Sequence, residues 1–458
     1  MSNSDSPFCF YPDAQRQVLE NIKMLGQSPE SGITFSPEQS VGCRMFALGD
    51  PVTGPHNKRH VLDMTGHVAS MLFGYNHVAL TGEAVERELA LAAKTRFASG
   101  DFGTPFRGLL GPVFRRVVMQ DIFTHSIFFT EGARAVECAC KIAHYCRQSE
   151  TSTELDKVGK WLTPDIGFHG RSVLALSLTT SYDVRKHKNM PYMDCVEKVS
   201  CPTILENENI EDLRAREDEA LYEIQQKIKE LGDRFIGFIM EPMVGEGGYK
   251  FYTPRFLQEL DAMVHYNGGV FVIDEIQTAF SGGRIFLHQV YDIDPDLVVF
   301  GKKFGMSGVL TAQGFTKRFP SHPLADPQSR VSSTWSGDPV ADVRLRLMLE
   351  YLEERGYLQK VQPLGKRLRT GLQQVIDTLA APGQLFHVRG VGLLSALDAI
   401  DSMLRSRLLA ACLERDLLLL PCGLRSIRFC PPITISEDEI DLCISRFEQA
   451  ALSVVKTA

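Results

Sequence analysis

The sequence lacks the features that mark exported, membrane-spanning and metal-stabilised proteins. Residues 1–12 contain no basic segment followed by an apolar core, so a signal peptide is not predicted. No apolar run approaches the roughly 20 residues that a membrane-spanning helix needs. HExxH and CxxC motifs are missing, and the 11 cysteines are scattered and odd in number. We therefore expect a cytoplasmic protein with reduced cysteines, no membrane partner and no bound metal.

An excess of basic residues is missing as well. The chain has 49 lysines and arginines against 56 aspartates and glutamates, which gives a net charge of −7. Proteins that bind nucleic acid present a basic surface to the phosphates, so this composition argues against a nucleic-acid partner. With 458 residues, 44% of them apolar and 23% charged, the chain is typical of a globular protein of two or three domains.

What the middle of the chain does contain is an alternation of short β-rich runs with helical patterns. Such alternation predicts an α/β fold with a parallel sheet. The run 235–240 (FIGFIM) is almost continuously apolar, as expected of a strand covered on both faces. We predict further strands at 126–130, 269–273 and 297–300, and helices that begin at Gly132, Leu213 and Thr253. Residues 172–179 form another apolar run.

The last third has a different pattern, with longer helices and short strands. We predict helices at 340–355 and 361–379, strands at 388–396, 417–420 and 427–429, and a final helix that Ser436 and Glu439 open as a capping box. These elements suggest a smaller α+β domain. We expect residues 1–65 to join this small domain as its N-terminal segment, 66–335 to form a large domain, and 336–458 to form the rest of the small domain.

Polar residues follow three of the predicted strands. Glu241 follows 235–240, Asp274 follows 269–273, and Lys302 and Lys303 follow 297–300. Ligands of open α/β sheets bind beyond the carboxyl ends of the strands, so these side chains are expected to converge. A desolvated lysine can form a Schiff base, and an aspartate can pair with a pyridine nitrogen. Taken singly, each has a more common structural role, because aspartates cap helices and lysines are usually solvated.

Two glycine-rich segments do not match nucleotide-binding loops. Residues 245–248 (GEGG) lack the GxGxxG spacing of a dinucleotide site, so we predict a turn. Residues 301–304 (GKKF) lack both the upstream glycine and the Ser or Thr of a Walker loop. A nucleotide phosphatase is therefore not supported.

Taken together, the motifs resemble class III pyridoxal-phosphate aminotransferases of fold type I. The resemblance spans about 128–432 and rests on Glu241-Pro, GEGG, the segment 274–278 (DEIQT) and the double lysine, with 29 residues from Asp274 to Lys303 (303 − 274). The segments FHGR (168–171), SSTW (332–335) and SIRF (426–429) are similar to those of the lysine ε-aminotransferases and 4-aminobutyrate aminotransferases. The resemblance implies a large, mostly parallel sheet domain flanked by helices, a smaller α+β domain, and pyridoxal 5′-phosphate as cofactor.

The resemblance also implies roles for the residues around the cofactor ring. Lys303 would form the Schiff base with the cofactor and transfer the proton, with Lys302 as its structural neighbour. Asp274 would pair with the pyridine nitrogen, and Gln277 would approach the 3-oxygen. Phe168 would stack on the face of the ring.

Three further residues match the phosphate site of the family. Gly132 and Ala133 would bind the phosphate through backbone N–H groups at the start of their helix, which helix N-termini also favour on physical grounds. Thr334 would complete the phosphate site from a second subunit. The resemblance therefore implies a homodimer with shared active sites.

The resemblance further implies transfer of a terminal amine to a 2-oxo acid, with L-lysine as the favoured donor and 2-oxoglutarate as the acceptor. Arg428 would bind the α-carboxylate of the oxo acid, Arg171 would bind a second carboxylate, and Glu241 would pair with Arg428 when no carboxylate is there. Guanidinium groups suit carboxylates because two N–H bonds form at once. Another ω-amine donor, such as 4-aminobutyrate, is the close alternative. A racemase, decarboxylase or aminomutase on the same fold, and a cofactor-binding regulator, are the more distant ones.

Overall fold

The computed structural model describes residues 14–26, 31–54, 57–151, 159–325, 331–379 and 382–455. The start of the chain, on which the prediction about a signal peptide rests, lies outside these ranges. Within them, no helix is long and apolar enough to cross a membrane. The cysteines in the same ranges are all buried, and their reduced state stays a prediction. The cytoplasmic location stays a prediction.

Helices and strands alternate through the first two thirds of the chain and continue to its end. The helical segments are α1 Ala14–Met24, α2 Gly66–Ala69, α3 Glu83–Ala93, α4 Pro105–Phe114, α5 Gly132–Thr151, α6 Val173–Leu178, α7 Ile210–Leu231, α8 Pro254–Tyr266, α9 His288–Tyr291, α10 Gln313–Arg318, α11 Pro339–Arg355, α12 Tyr357–Thr378, α13 Ser402–Glu414 and α14 Glu437–Val454. The strands are β1 Thr34–Val41, β2 Arg44–Gly49, β3 Arg59–Asp63, β4 Phe123–Phe129, β5 Lys160–Pro164, β6 Val196–Val199, β7 Phe235–Met240, β8 Met243–Val244, β9 Lys250–Phe251, β10 Val270–Asp274, β11 Leu297–Phe300, β12 Ser307–Ala312, β13 Leu385–Val391, β14 Leu394–Ala399, β15 Leu417–Leu418, β16 Leu420–Cys422 and β17 Ser426–Phe429.

A seven-stranded sheet forms the centre of the molecule, with the strand order β4-β12-β11-β10-β7-β5-β6. Strands β7, β10 and β11 are parallel, and only β12 runs against its neighbours β11 and β4. Every residue of β7, β10 and β11 is buried, which explains their continuous apolar sequences. The mostly parallel α/β fold predicted from the sequence is confirmed.

The register of these strands brings three polar segments to one edge of the sheet. Ile273 of β10 pairs with Met240 of β7, and Asp274 pairs with Val299 of β11. The residues that follow β7 and β11 therefore emerge level with Asp274. This is the edge at which the sequence predicts a binding site.

The helix ends follow from local hydrogen bonds that the sequence indicates. The side chain of Thr253 accepts a hydrogen bond from Phe256 N, and Pro254 is the first residue of α8. Ser436 and Glu439 form the predicted capping box of α14. Each such cap is worth about 1 kcal/mol.

Several predicted elements differ from the observed ones in the same way, because turns interrupt the apolar runs. The strand predicted at 388–396 is a hairpin of β13 and β14, since Gly392 adopts a φ of 55° and the chain reverses there. The strand predicted at 417–420 divides into β15 and β16. The apolar run 172–179, to which no element was assigned, contains the helix α6.

Two smaller sheets involve the C-terminal third. One has the order β13-β14-β17-β16. The other has the order β1-β2-β3-β15, in which Leu417 of β15 pairs with Leu62 of β3. The N-terminal strands thus pair with a strand of the C-terminal part of the chain, and the grouping of 1–65 with 336–458 stays a prediction. The boundaries at 65/66 and 335/336 stay a prediction.

Candidate active site

A cavity of about 340 Å³ opens at the carboxyl edge of the central sheet. Its wall is built from the ends of β4, β7 and β10, the start of α5, the FHGR segment and the turn after β11. The lining residues are Thr130, Glu131, Gly132, Ala133, Phe168, His169, Gly170, Glu241, Asp274, Ile276, Gln277, Lys302 and Ser307. Six of the residues that the sequence singles out for the site therefore line one cavity: Gly132, Ala133, Phe168, Glu241, Asp274 and Gln277.

Asp274 is fixed in the cavity wall by two hydrogen bonds. Its Oδ2 lies 2.9 Å from Nδ1 of His169, and its Oδ1 accepts a hydrogen bond from Ile276 N at 3.0 Å. The backbone N–H of His169 in turn donates to the hydroxyl of Thr179. The second ring nitrogen of His169, Nε2, is buried and has no hydrogen-bond partner among the described residues. The carboxylate is therefore rigidly oriented.

The two adjacent lysines face different surroundings. Lys302 lines the cavity, whereas Lys303 is 1% exposed and its Nζ contacts Gln277 O at 3.3 Å and Cys430 Sγ at 3.8 Å. Lys302 also has a φ of 47°, a strained conformation for a non-glycine residue that is concentrated at functional sites. The predicted Schiff-base lysine, Lys303, is thus not among the residues that line the cavity, whereas Lys302, predicted to be its structural neighbour, is.

Lys302 is also the lysine whose amine is prepared for reaction near neutral pH. Burial, with help from the positive charges of Arg428 and Lys303, lowers the pKa of Lys302 to about 8, while Glu241 opposes the shift. A lysine with such a pKa is partly unprotonated in solution near pH 7 to 8 and can act as a nucleophile or base. Burial lowers the pKa of Lys303 too, but Lys303 is not among the residues that line the cavity.

Glu241 is hydrogen-bonded by the backbone on both sides. Oε1 accepts from Phe168 N at 3.0 Å, and Oε2 accepts from Gly245 N at 3.3 Å. Burial and then the negative charge of Asp274 raise the pKa of Glu241 to about 8. The family resemblance implies an ion pair between Glu241 and Arg428, but among the described residues Glu241 forms no such pair.

The predicted carboxylate-binding arginines lie outside the cavity wall. Arg428 is partly buried on β17, with its guanidinium carbon 5.8 Å from the ring centre of Tyr249. Arg171 is exposed. Within the described ranges, neither arginine forms an ion pair with a carboxylate, so both are available to a ligand.

Thr334 does not line the cavity of its own subunit. It is exposed, and its backbone oxygen accepts a hydrogen bond from Gly100 N at 3.4 Å. The next residue, Trp335, stacks with the guanidinium of Arg96 at 4.2 Å. The SSTW segment is therefore anchored on the surface near 96–100.

The sequence assigned no role to several residues in or beside the site, among them His169, Ser307 and Glu246. His169 is the second residue of FHGR, so its position beside Phe168 was a usable signal for a site residue. Ser307 lines the cavity, and its hydroxyl lies close to Gly301. A Cβ at position 301 would be 2.7 Å from that hydroxyl. Glu246, in the GEGG turn, forms an ion pair with Lys186 that no sequence pattern indicates.

Comparisons with known proteins agree with this architecture. The aminotransferase class-III family matches residues 47–451. An L-lysine-epsilon aminotransferase of Amycolatopsis lactamdurans is 32% identical over 401 residues, which cover 86% of this chain and 87% of that protein. A 4-aminobutyrate aminotransferase of Dictyostelium discoideum is 28% identical over 429 residues, 86% of this chain and 82% of that protein. The solved structure of a lysine aminotransferase from M. tuberculosis in the internal aldimine form has a TM-score of 0.88 and 29% identity, and covers 97% of this chain and 99% of that one.

The chain belongs to the aminotransferase class-III family. Members of this family are pyridoxal-phosphate-dependent transaminases of fold type I, so the predicted enzyme class, cofactor and fold are confirmed. The cavity fits that cofactor, because its wall combines a lysine, an oriented carboxylate, a helix N-terminus and an aromatic ring. In the same order, these groups suit the aldehyde, the pyridine nitrogen, the phosphate and the ring face of pyridoxal phosphate.

Proposed function

We propose that this protein transfers the terminal amine of L-lysine to 2-oxoglutarate, giving an aldehyde and L-glutamate. The position of Lys302 in one cavity with Asp274 and the start of α5 carries the proposal for the chemistry. The proposal for the donor is supported by the 32% identity to an L-lysine-epsilon aminotransferase. 4-Aminobutyrate is the second donor to be tested, because a 4-aminobutyrate aminotransferase is 28% identical.

In this proposal Lys302, rather than Lys303, is the lysine that binds the cofactor. The 29-residue spacing that favoured Lys303 spans the segment 275–296, which contains only the short helix α9 and is otherwise turns and loops. Loops of this kind vary in length by single residues, so a spacing counted across one cannot separate two adjacent lysines. The cavity does separate them, because Lys302 is among its lining residues and Lys303 is not.

Each residue of the wall has a proposed task around the cofactor. The Asp274 carboxylate, oriented by His169, would bind the protonated ring nitrogen, and Gln277 would approach the 3-oxygen. The backbone N–H groups of Gly132 and Ala133 would bind the phosphate. The ring of Phe168 would pack against the cofactor ring. When bound, pyridoxal phosphate supplies an electron sink that lets an amino group pass from donor to oxo acid.

The remaining residues would bind substrate and move the proton. The Lys302 amine would accept a proton from the donor carbon and return it, a task suited to a pKa of about 8. Arg428 would bind the α-carboxylate of 2-oxoglutarate, and Arg171 would bind a second carboxylate. Thr334 of a second subunit would complete the phosphate site, so the active unit would be a homodimer.

A donor screen tests this function. The holoenzyme is incubated with 2-oxoglutarate and one donor at a time, and glutamate is measured by mass spectrometry. We expect glutamate from L-lysine, less from 4-aminobutyrate, and none with the K302A variant. Glutamate from no terminal amine would contradict the proposal. Consumption of L-lysine without any oxo acid would indicate a racemase, decarboxylase or aminomutase instead.

A further inference from the structure

We propose that Tyr249 positions the carboxamide of Gln277, so that one N–H of that carboxamide meets the 3-oxygen of the bound cofactor. The inference rests on the proposed function, because it concerns the task proposed there for Gln277. It adds a positioning residue that lies outside the motifs of the family resemblance. Three observations lead to it.

The first observation is the hydrogen bonding of the Gln277 side chain. Its amide nitrogen, Nε2, donates to the hydroxyl of Tyr249 at 3.0 Å, and among the described residues the carboxamide forms no other hydrogen bond. Gln277 is 8% exposed and lines the cavity. A carboxamide nitrogen carries two hydrogens, so the bond to Tyr249 leaves one N–H for a ligand.

The second observation is that Tyr249 is itself held in one place. The residue is fully buried, and its φ of 48° is uncommon for a bulky side chain. Its backbone oxygen accepts a hydrogen bond from Nε of Arg389 at 2.8 Å, and Arg389 forms an ion pair with Asp398, also at 2.8 Å. Burial raises the pKa of Tyr249 well above its ordinary value, so the hydroxyl stays neutral. A strained backbone persists where the surroundings fix it, and here they fix an anchor for Gln277.

The third observation is that the main chain of Gln277 is held as well. Nζ of Lys303 donates to the backbone oxygen of Gln277 at 3.3 Å. Lys303 is 1% exposed, so this contact joins the segment after β10 to the turn after β11 in the protein interior. With the backbone held, the place of the carboxamide depends on rotations within the side chain. The bond to Tyr249 is the contact that limits these rotations.

A misplaced carboxamide would change how the bound cofactor titrates. In the holoenzyme the 3-oxygen shares a proton with the nitrogen of the lysine that binds the cofactor. The negative charge of the oxygen holds this proton, and an N–H that donates to the oxygen weakens the hold. With Gln277 in place the proton is therefore lost at a lower pH, and the visible absorbance of the holoenzyme follows the loss.

The test compares Y249F, which removes only the hydroxyl, with Y291F. Tyr291 is the matched control, because its buried hydroxyl has no hydrogen-bond partner among the described residues. The visible absorbance of each holoenzyme is titrated with pH in the absence of an amino donor. We expect the midpoint in Y249F to rise by about 0.5 to 1 on the pH scale, as the loss of one hydrogen bond predicts. We expect Y291F to titrate like the wild type.

A second set of variants separates positioning of Gln277 from packing of the tyrosine ring. Y249L removes the ring as well as the hydroxyl, and its midpoint should equal that of Y249F. If Tyr249 acts through Gln277, Y249F/Q277A titrates like Q277A. A wild-type midpoint in Y249F, a shift that appears only in Y249L, or a shift that persists in full on the Q277A background would overturn the inference. Wild-type enzyme that binds the cofactor but forms no glutamate from any terminal amine would instead contradict the proposed function, so the two failures are distinguishable.

Discussion

Nδ1 of His169 lies 2.9 Å from Oδ2 of Asp274, with both side chains buried in the wall of the cavity. This contact joins the FHGR segment, which follows β5, to the end of β10. A carboxylate that must face one atom of a ligand gains its direction from such a partner. Much of what the site requires therefore depends on a histidine that touches the aspartate rather than the substrate.

Replacing this histidine should weaken both the fold and the cofactor site. H169A removes a hydrogen bond to a buried carboxylate, so we expect a loss of about 1.5 to 3 kcal/mol in the free energy of unfolding. We also expect weaker binding of pyridoxal phosphate, measured by titration of the apoprotein. The matched control is H169N, whose amide nitrogen can occupy the position of Nδ1 and should retain most of both quantities. Equal losses in the two variants would contradict this role.

The buried carboxyl of Glu241 predicts a stability that falls as the pH rises. The pKa of Glu241 is raised to about 8 in the folded protein. Between the ordinary pKa of a glutamate carboxyl and pH 8, the folded state therefore binds a proton that the unfolded state has lost. Stability from this group is complete at low pH and is lost as the pH rises towards 8. The wild-type apoprotein should lose up to about 1.4 kcal/mol per pH unit relative to E241Q.

Urea unfolding of the apoprotein between pH 5.5 and 8 measures this difference. E219Q, which changes an exposed glutamate on α7, should follow the wild type at every pH. If the wild type and E241Q lose stability in parallel, Glu241 is ionised in the folded protein and the raised pKa is refuted.

Gly170 should not tolerate a side chain. Its φ is +131°, and a Cβ there would lie 2.7 Å from the Cβ of Ala133 and 3.1 Å from its Cα. Because Ala133 is at the proposed phosphate-binding end of α5, G170A should lower the affinity for pyridoxal phosphate as well as the melting temperature. G314A is the control, since Gly314 lies in α10 with nothing near its Cβ position. It should be neutral or stabilise by up to about 1 kcal/mol.

Subunit mixing tests whether Thr334 serves the partner's site. K302A and T334A homodimers are each expected to have little activity. After subunit exchange, a heterodimer has one site with an intact Lys302 from the T334A chain and an intact Thr334 from the K302A chain. Activity should therefore reappear on mixing. If Thr334 acts within its own subunit, every site in the heterodimer is defective and no activity returns.

The sequence was most informative where one local pattern determines the outcome. The run 235–240 is a strand with the predicted bounds because five apolar residues and one glycine between turn signals suit a sheet covered on both faces. The capping box at Ser436 opens its helix as predicted, since both hydrogen bonds join residues three apart. The convergence of Asp274 and Glu241 followed from the rule for parallel strand ends.

It was least informative where the outcome depends on the direction of a side chain or on contacts distant in sequence. Lys302 and Lys303 have the same chemistry, and only the turn after β11 decides which of them lines the cavity. The family resemblance that implied a Glu241–Arg428 pair could not include the backbone N–H groups that donate to Glu241 instead. The strand predicted at 388–396 is interrupted by the hairpin turn at Gly392. A pattern of apolar residues does not indicate such a turn.

The most direct test of the account is to find which lysine carries the cofactor. The holoenzyme is reduced with borohydride, digested, and the peptide that contains both lysines is sequenced by tandem mass spectrometry, alongside K302A and K303A. We predict the pyridoxyl group on Lys302 in the wild type, the same attachment in K303A, and no attachment in K302A. A pyridoxyl group on Lys303 of the wild-type protein would contradict the central claim.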